Sequence, residues 1–171
     1  MRRNVVLGAC LAALALPAAA SAILAAPGDG SLVVKNASGP RNLPVVALII
    51  TGAAIGHVDQ GHIIIDDPTP NNGASPEVTG ADSRKDVTET AQLWAGTNFK
   101  FRAVGGHYTI LIYGSGVNVV ALGHGTVKLA GLVDTPLTDG TYSLNGGDFH
   151  SLPALPTLPL SIGSTPASSN G

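Results

Sequence analysis

Histidine residues beside glycines are the first candidates for binding chemistry in this chain. His57, His62, His107 and His124 each follow a glycine at the edge of a strand-like run. Neutral imidazole is a good ligand for Zn, Cu or Ni. A shift of 17 residues places Gly106-His107 on Gly123-His124, so we expect these two side chains to be neighbours on one rim. The sequence therefore predicts His107 and His124 as a candidate metal-binding pair. The simpler interpretation is that the histidines are polar residues of turns.

Asp66 and Asp67 are the candidate ligands for calcium, which prefers oxygen atoms on loops. Adjacent residues of an extended strand point to opposite faces, so the two carboxylates can share an ion only if the strand ends there. Pro68 makes such an end plausible. Three more aspartates lie in glycine-containing loops: Asp134, Asp139 and Asp148. The simpler interpretation is that each aspartate bonds the local backbone.

No catalytic motif is present in the sequence. It lacks G-x-S-x-G, H-E-x-x-H, P-loop and EF-hand patterns. Carboxylates are numerous, but nothing places two of them at the separation that glycoside hydrolysis requires. We therefore expect a non-enzymatic protein without a cofactor, and a secreted hydrolase is kept as an alternative.

The N-terminus has the three-part pattern of a secretory signal peptide. Arg2 and Arg3 precede an apolar run, and small residues at 20 and 22 fit a cleavage site, so we predict a signal peptide over 1–22. The run is shorter than the roughly 20 residues of a spanning helix, which disfavours a membrane anchor. Cleavage removes Cys10, the single cysteine, and with it disulfides and thiolate ligands. We expect a secreted or cell-envelope protein with no membrane span.

Composition narrows the partner class and the fold. The formal net charge is −2 with only 12% charged residues and no basic cluster, so nucleic acid is not an expected partner. Short runs rich in Val, Ile, Leu and Thr between glycines predict an all-β fold. The predicted strands are 31–36, 44–50, 53–58, 62–66, 98–104, 108–113, 117–122, 126–130 and 141–145. The only helix candidate is 82–94.

An internal repeat predicts the architecture. A shift of 64 residues places Gly52 on Gly116 and Gly61 on Gly125, together with the apolar positions between them. The chain then contains two repeated four-strand units, 30–67 and 97–131. We predict that they pack as a β-sandwich; the weaker 17-residue match leaves a short β-solenoid as the alternative.

The remaining segments complete the predicted organisation. We expect one domain over 27–150, with a polar linker loop at 68–96 that ends in Trp94, a clamp on the sandwich rim. Four prolines between 151 and 171 predict an extended or disordered tail.

Four stretches carry a family resemblance: "GDGSLVVKNASG", "DDPTPNNGASPEVTGAD", "FKFRAVGGHYTILIYGSGVNVVALGHGTVKLAG" and "DGTYSLNGGDFHSLP". Together they resemble an uncharacterised group of secreted β-rich proteins of high-GC Gram-positive bacteria. The resemblance implies export and a β-rich domain, and it carries no activity.

The functional prediction is an exported structural or interaction module of the cell envelope or extracellular space. Such a module needs an exposed sheet edge or an apolar patch for assembly, either with an envelope component or with itself. A metal- or small-ligand-binding module is the alternative, and it requires convergence of the histidines or of Asp66 and Asp67.

Overall fold

The computed structural model describes residues 26–70, 74–132 and 140–163, and all regular elements in these ranges are β-strands. The strands are β1 (Gly30–Ala37), β2 (Val46–Asp66), β3 (Ala74–Thr79), β4 (Ser83–Asp86), β5 (Ala91–Ser115), β6 (Val117–Leu129), β7 (Thr141–Leu144), β8 (His150–Ser151) and β9 (Leu160–Ile162). The predicted signal peptide with Cys10, and the loop residues Asp134 and Asp139, lie outside the described ranges. Within those ranges no helix is long and apolar enough to cross a bilayer.

Alternation of side chains explains why these segments form strands. In β2, Leu48 and Ile50 are fully buried, while Ile49 between them is exposed. In β6, Val119 and Ala121 are buried on either side of the exposed Val120. Each such buried aliphatic side chain contributes about 1.5–3 kcal/mol, which a helical arrangement of the same residues would not collect on one face.

The strands form one large antiparallel sheet. Its order is β3-β5-β2-β6-β1-β7-β8, with β4 also paired to β5 and β9 to β6. The all-β prediction is confirmed, and the sheet is consistent with the predicted β-sandwich. Stacked β-coils pair through parallel strands, whereas every pair in the described chain is antiparallel, so the solenoid alternative does not fit.

The two longest strands bend, and this encloses the core. Residues 60–66 of β2 pair with 91–97 of β5 on one side and with 109–115 of the same strand on the other. One segment of β2 can pair with two segments of β5 only because β5 bends. It leaves residues 60–66 of β2 after residue 97 and lies beside them again from residue 109. The buried residues of the whole sheet form one cluster, which includes Ile63 and Phe101.

Pairing runs between the two predicted repeat units. β1 pairs with β6, while β2 pairs with β5 and β6. The strands of 30–67 and 97–131 therefore interleave in the sheet. Backbone hydrogen bonds carry no side-chain identity, so the sequence pattern predicts strands without naming their partners.

Three strand segments lie in 68–96, where a polar loop was expected. They are β3, β4 and the start of β5, and the helix candidate 82–94 is wrong. All four residues of β4 are exposed, so this edge strand lacks the buried alternation that the sequence pattern relies on. Trp94 is buried in β5 opposite Arg84 of β4.

The proline-rich segment is extended and packed up to residue 163. Leu152 is fully buried, and β9 pairs with β6. The backbone N–H of Thr157 donates to the carbonyl of Leu129 at 3.0 Å. Residues 164–171 lie outside the described ranges.

Candidate functional site

The candidate metal ligands His107 and His124 lie on either side of one threonine. Thr51 of β2 is the register partner of His107 on β5 and of His124 on β6. All three side chains therefore lie on the same face of the sheet. The two histidines are two strand spacings apart, about 10 Å between their Cα atoms. The sequence analysis expected neighbours on one rim; the two histidines share a face, but Thr51 separates them.

Each of these histidines has its own polar partner. His107 Nδ1 lies 2.9 Å from the Thr51 hydroxyl, whereas His124 Nδ1 lies 3.6 Å from a carboxylate oxygen of Asp29. Within 26–70, 74–132 and 140–163, no group of three His, Cys, Asp or Glu side chains could hold a metal ion. Metal binding by this pair stays a prediction.

Asp66 and Asp67 have different surroundings, and among the described residues neither belongs to a group of three possible metal ligands. The Asp67 side chain is only 8% exposed and accepts a 3.3 Å hydrogen bond from the Thr69 N–H. Asp66 ends β2, and its Oδ1 atom is buried without a hydrogen-bond partner among the described residues. Burial, and next the negative charge of Asp67, raises the pKa of the Tyr108 hydroxyl, which donates to the carbonyl of Val104.

The other two histidines of the sequence prediction also have local partners. His57 Nε2 lies 2.8 Å from the side-chain oxygen of Asn98. His62 stacks on Tyr113, with ring centroids 4.4 Å apart and planes inclined by 13°. Burial lowers the pKa of His62 because the charged imidazolium loses hydration.

A row of outward-facing aliphatic side chains, two of them exposed and one half-buried, forms a further surface, which the sequence analysis missed. Val120 of β6 is the register partner of Val33 on β1 and of Ile55 on β2. Val120 is 55% exposed and Ile55 43% exposed. We call Val33, Val120 and Ile55 the outer strip. It forms the floor of a shallow depression of about 600 Å³.

Cationic side chains border the outer strip. Arg102 is the register partner of Ile55, and Lys100 is the partner of His57 one step along the same face. Lys35 lies two residues after Val33 on β1, and its ammonium group lies 4.2 Å from the ring centroid of the exposed Phe149. The result is an apolar surface with three cations at its margin, and Glu77 of β3, the register partner of Arg102, adds one carboxylate beyond them on the same face.

Pairing explains why sequence reasoning missed the outer strip. Each residue occupies the outward position of its own strand, where a lone exposed aliphatic residue is ordinary. Ile49 shows that ordinary case, because its register partners are Thr109 and Thr126. Only the register of three strands places Val33, Val120 and Ile55 side by side.

No protein-family description matches the chain, and neither the curated proteins nor the solved structures include one with significant similarity to it. The resemblance to secreted proteins of high-GC Gram-positive bacteria therefore stays a prediction.

Proposed function

We propose that this protein is an exported module that docks on the anionic lipid surface of the cell envelope through the outer strip. Export rests on the N-terminal sequence, where Arg2 and Arg3 precede an apolar run and a small-residue cleavage site. Docking rests on one observation, the contiguous outward-facing row of the half-buried Val33 and the exposed Val120 and Ile55, with its cationic margin.

The margin favours an anionic surface. One face of the sheet carries Lys35, Lys100 and Arg102. The whole chain has a formal net charge of −2, so this concentration of cations is opposite in sign to the net charge of the molecule. Each cation near an anionic membrane contributes about 1 kcal/mol. Three cations, opposed by the one carboxylate of Glu77 beside Arg102, supply about 2 kcal/mol, which gives reversible binding once the aliphatic side chains enter the interface.

A second copy of the chain is the weaker partner for this face. Packing two identical strips together brings the same three cations of each copy towards one another, and like charges repel. Pairing at the sheet edges is also disfavoured. The edge strand β4 carries Arg84, Lys85 and Asp86, while Pro76 lies in the edge strand β3, and charges and prolines are the usual protection of an edge.

Vesicle binding tests the proposal. We expect the purified protein to co-sediment with vesicles of equal parts phosphatidylglycerol and phosphatidylcholine, and to be released as salt is raised. Ile55→Asp should weaken binding by about tenfold or more, since it places a carboxylate in the docking face. Ile49→Asp is the matched control, because Ile49 is 45% exposed on the same strand and lies among threonines.

Two results would contradict the proposal. One is equal binding to vesicles of phosphatidylcholine alone and to anionic vesicles. The other is equal loss of binding in Ile55→Asp and Ile49→Asp. Dimerisation that Ile55→Asp abolishes, without vesicle binding by the parent protein, would assign the outer strip to a second copy instead.

A further inference from the structure

A cleft of about 490 Å³ opens between β3 on one side and β4 with the start of β5 on the other. Its apolar lining includes Ile65, Val78 and Trp94, and its acidic lining comprises Asp67, Glu77 and Glu89. The volume is in the range of small-ligand sites, which combine an apolar surface with a few polar groups. Glu77 is also the register partner of Arg102 at the margin of the outer strip, so the two surfaces adjoin, but ligand binding in the cleft does not depend on the function proposed for the outer strip.

Asp67 is the unusual group of the cleft. The residue is more than nine-tenths buried, and within the described part of the chain its carboxylate accepts a hydrogen bond from the Thr69 N–H that is long, at 3.3 Å. Among the described residues, no Lys, Arg or His nitrogen lies within 4.0 Å of its carboxylate. A buried carboxylate without a cation is costly, so this position favours a positively charged ligand group.

The aromatic wall of the cleft already accepts a cation. The guanidinium carbon of Arg84 lies 5.9 Å from the ring centroid of Trp94, within the range of a cation–π contact. Arg84 is exposed, and its carboxylate partner Asp86 lies 3.8 Å away. Three carboxylates against one arginine leave the lining of the cleft net negative.

The mixture of apolar and acidic surface in the lining favours one class of cation over another. A bare calcium ion takes six to eight oxygen ligands, whereas much of this surface is hydrocarbon. A primary alkylammonium group has the matching composition, because its stem is apolar and its head donates three hydrogen bonds.

We propose that this cleft binds a primary alkylammonium group, either a lysine side chain or a free alkyl amine, with its stem against Ile65, Val78 and Trp94 and its charge on Asp67. Glu77 and Glu89 add negative potential at the mouth of the cleft. Carboxylates on a cleft in this segment are also what the hydrolase alternative predicts, and catalysis stays a prediction.

Tryptophan fluorescence gives a direct test, because Trp94 is the only tryptophan of the chain. The purified protein is titrated with the peptide acetyl-Gly-Lys-Gly-amide, with its norleucine analogue, and with cadaverine. We expect a saturable change in emission with the lysine peptide or with cadaverine, and none with norleucine, which keeps an alkyl stem without the charge. The stronger of the two ammonium probes identifies the source of the ligand.

Variants assign the site. Asp67→Asn keeps the shape of the side chain and should weaken binding at least about tenfold. Asp148→Asn is the control, because Asp148 is an exposed aspartate between β7 and β8. If Asp67→Asn fails to fold, the double variant of the exposed residues Glu77→Gln and Glu89→Gln should also weaken binding. Equal binding of the norleucine peptide, no saturable response to either amine, or unchanged affinity in a folded Asp67→Asn variant would overturn the proposal.

Discussion

At the scale of single residues, glycines determine where the long strands can bend. Gly52, Gly61 and Gly116 have φ angles of +143°, +153° and +62°, a region that L side chains rarely adopt. Gly125, their fourth partner in the sequence repeat, does not have such an angle. A Cβ atom on Gly125 would instead meet the carbonyl oxygen of Ile49 on the neighbouring strand. Glycine is required at all four positions, for two different physical reasons.

Gly52→Ala tests this interpretation at one bend. A Cβ atom there would meet the carbonyl oxygen of Leu122, in addition to the strain of positive φ. We expect the free energy of unfolding to fall by about 2 kcal/mol or more, measured by urea denaturation. Gly146→Ala is the control, since Gly146 also has positive φ, at +73°, with nothing within 4 Å of the added atom, so it should lose only about 1 kcal/mol. Equal losses would show that close approach at Gly52 contributes nothing.

At the scale of elements, the proline-rich segment after Ser151 packs on the sheet although it forms few strand pairs. The segment after Ser151 has too many prolines to pair along its length, yet it contacts β6 through β9 and through Thr157. Leu152 belongs to the core cluster, whereas Leu155 is 78% exposed. This segment therefore acts as a strap across the sheet rather than as a tail.

Because Leu152 is buried and Leu155 is exposed, we expect substitutions of these two leucines to differ in their effect on stability. Leu152→Ala should lower the free energy of unfolding by about 2–5 kcal/mol, because it leaves a cavity in the core. Leu155→Ala should change it by less than about 0.5 kcal/mol. Chemical denaturation of both variants, followed by circular dichroism, measures the two changes. A near-neutral Leu152→Ala variant would mean that the segment is dispensable for the fold.

At the scale of the whole molecule, interleaving couples the two predicted repeat units. Neither 30–67 nor 97–131 completes its strand pairing alone, because β1 depends on β6 and β2 depends on β5. Many contacts are consequently distant in sequence, which favours cooperative and comparatively slow folding.

We expect a single unfolding transition. Fluorescence of Trp94, which reports on the β4–β5 edge, should change together with the far-ultraviolet circular dichroism of the whole sheet during urea unfolding. The measurement compares the urea midpoint from fluorescence with the urea midpoint from circular dichroism, and we expect the two to agree. Separate midpoints would show that the two units unfold independently, contrary to the interleaved pairing.

The sequence by itself determined the fold class and most strand positions. Alternation of buried and exposed residues is a local property of period two, so the strand prediction at 31–36 agrees with β1 to within one residue at either end. The 17-residue match gave His107 and His124 equivalent positions, but it predicted neighbours, whereas Thr51 separates them.

Tertiary structure alone decided which strands are neighbours and where the strands bend. β4 escaped prediction because an edge strand without a buried face carries no alternating signal. The outer strip and the acidic cleft join residues from three or more distant segments, so register and strand bending create them. Hydrogen bonds between backbones are alike at every position. The local sequence pattern therefore identifies which segments are strands but not which strands pair.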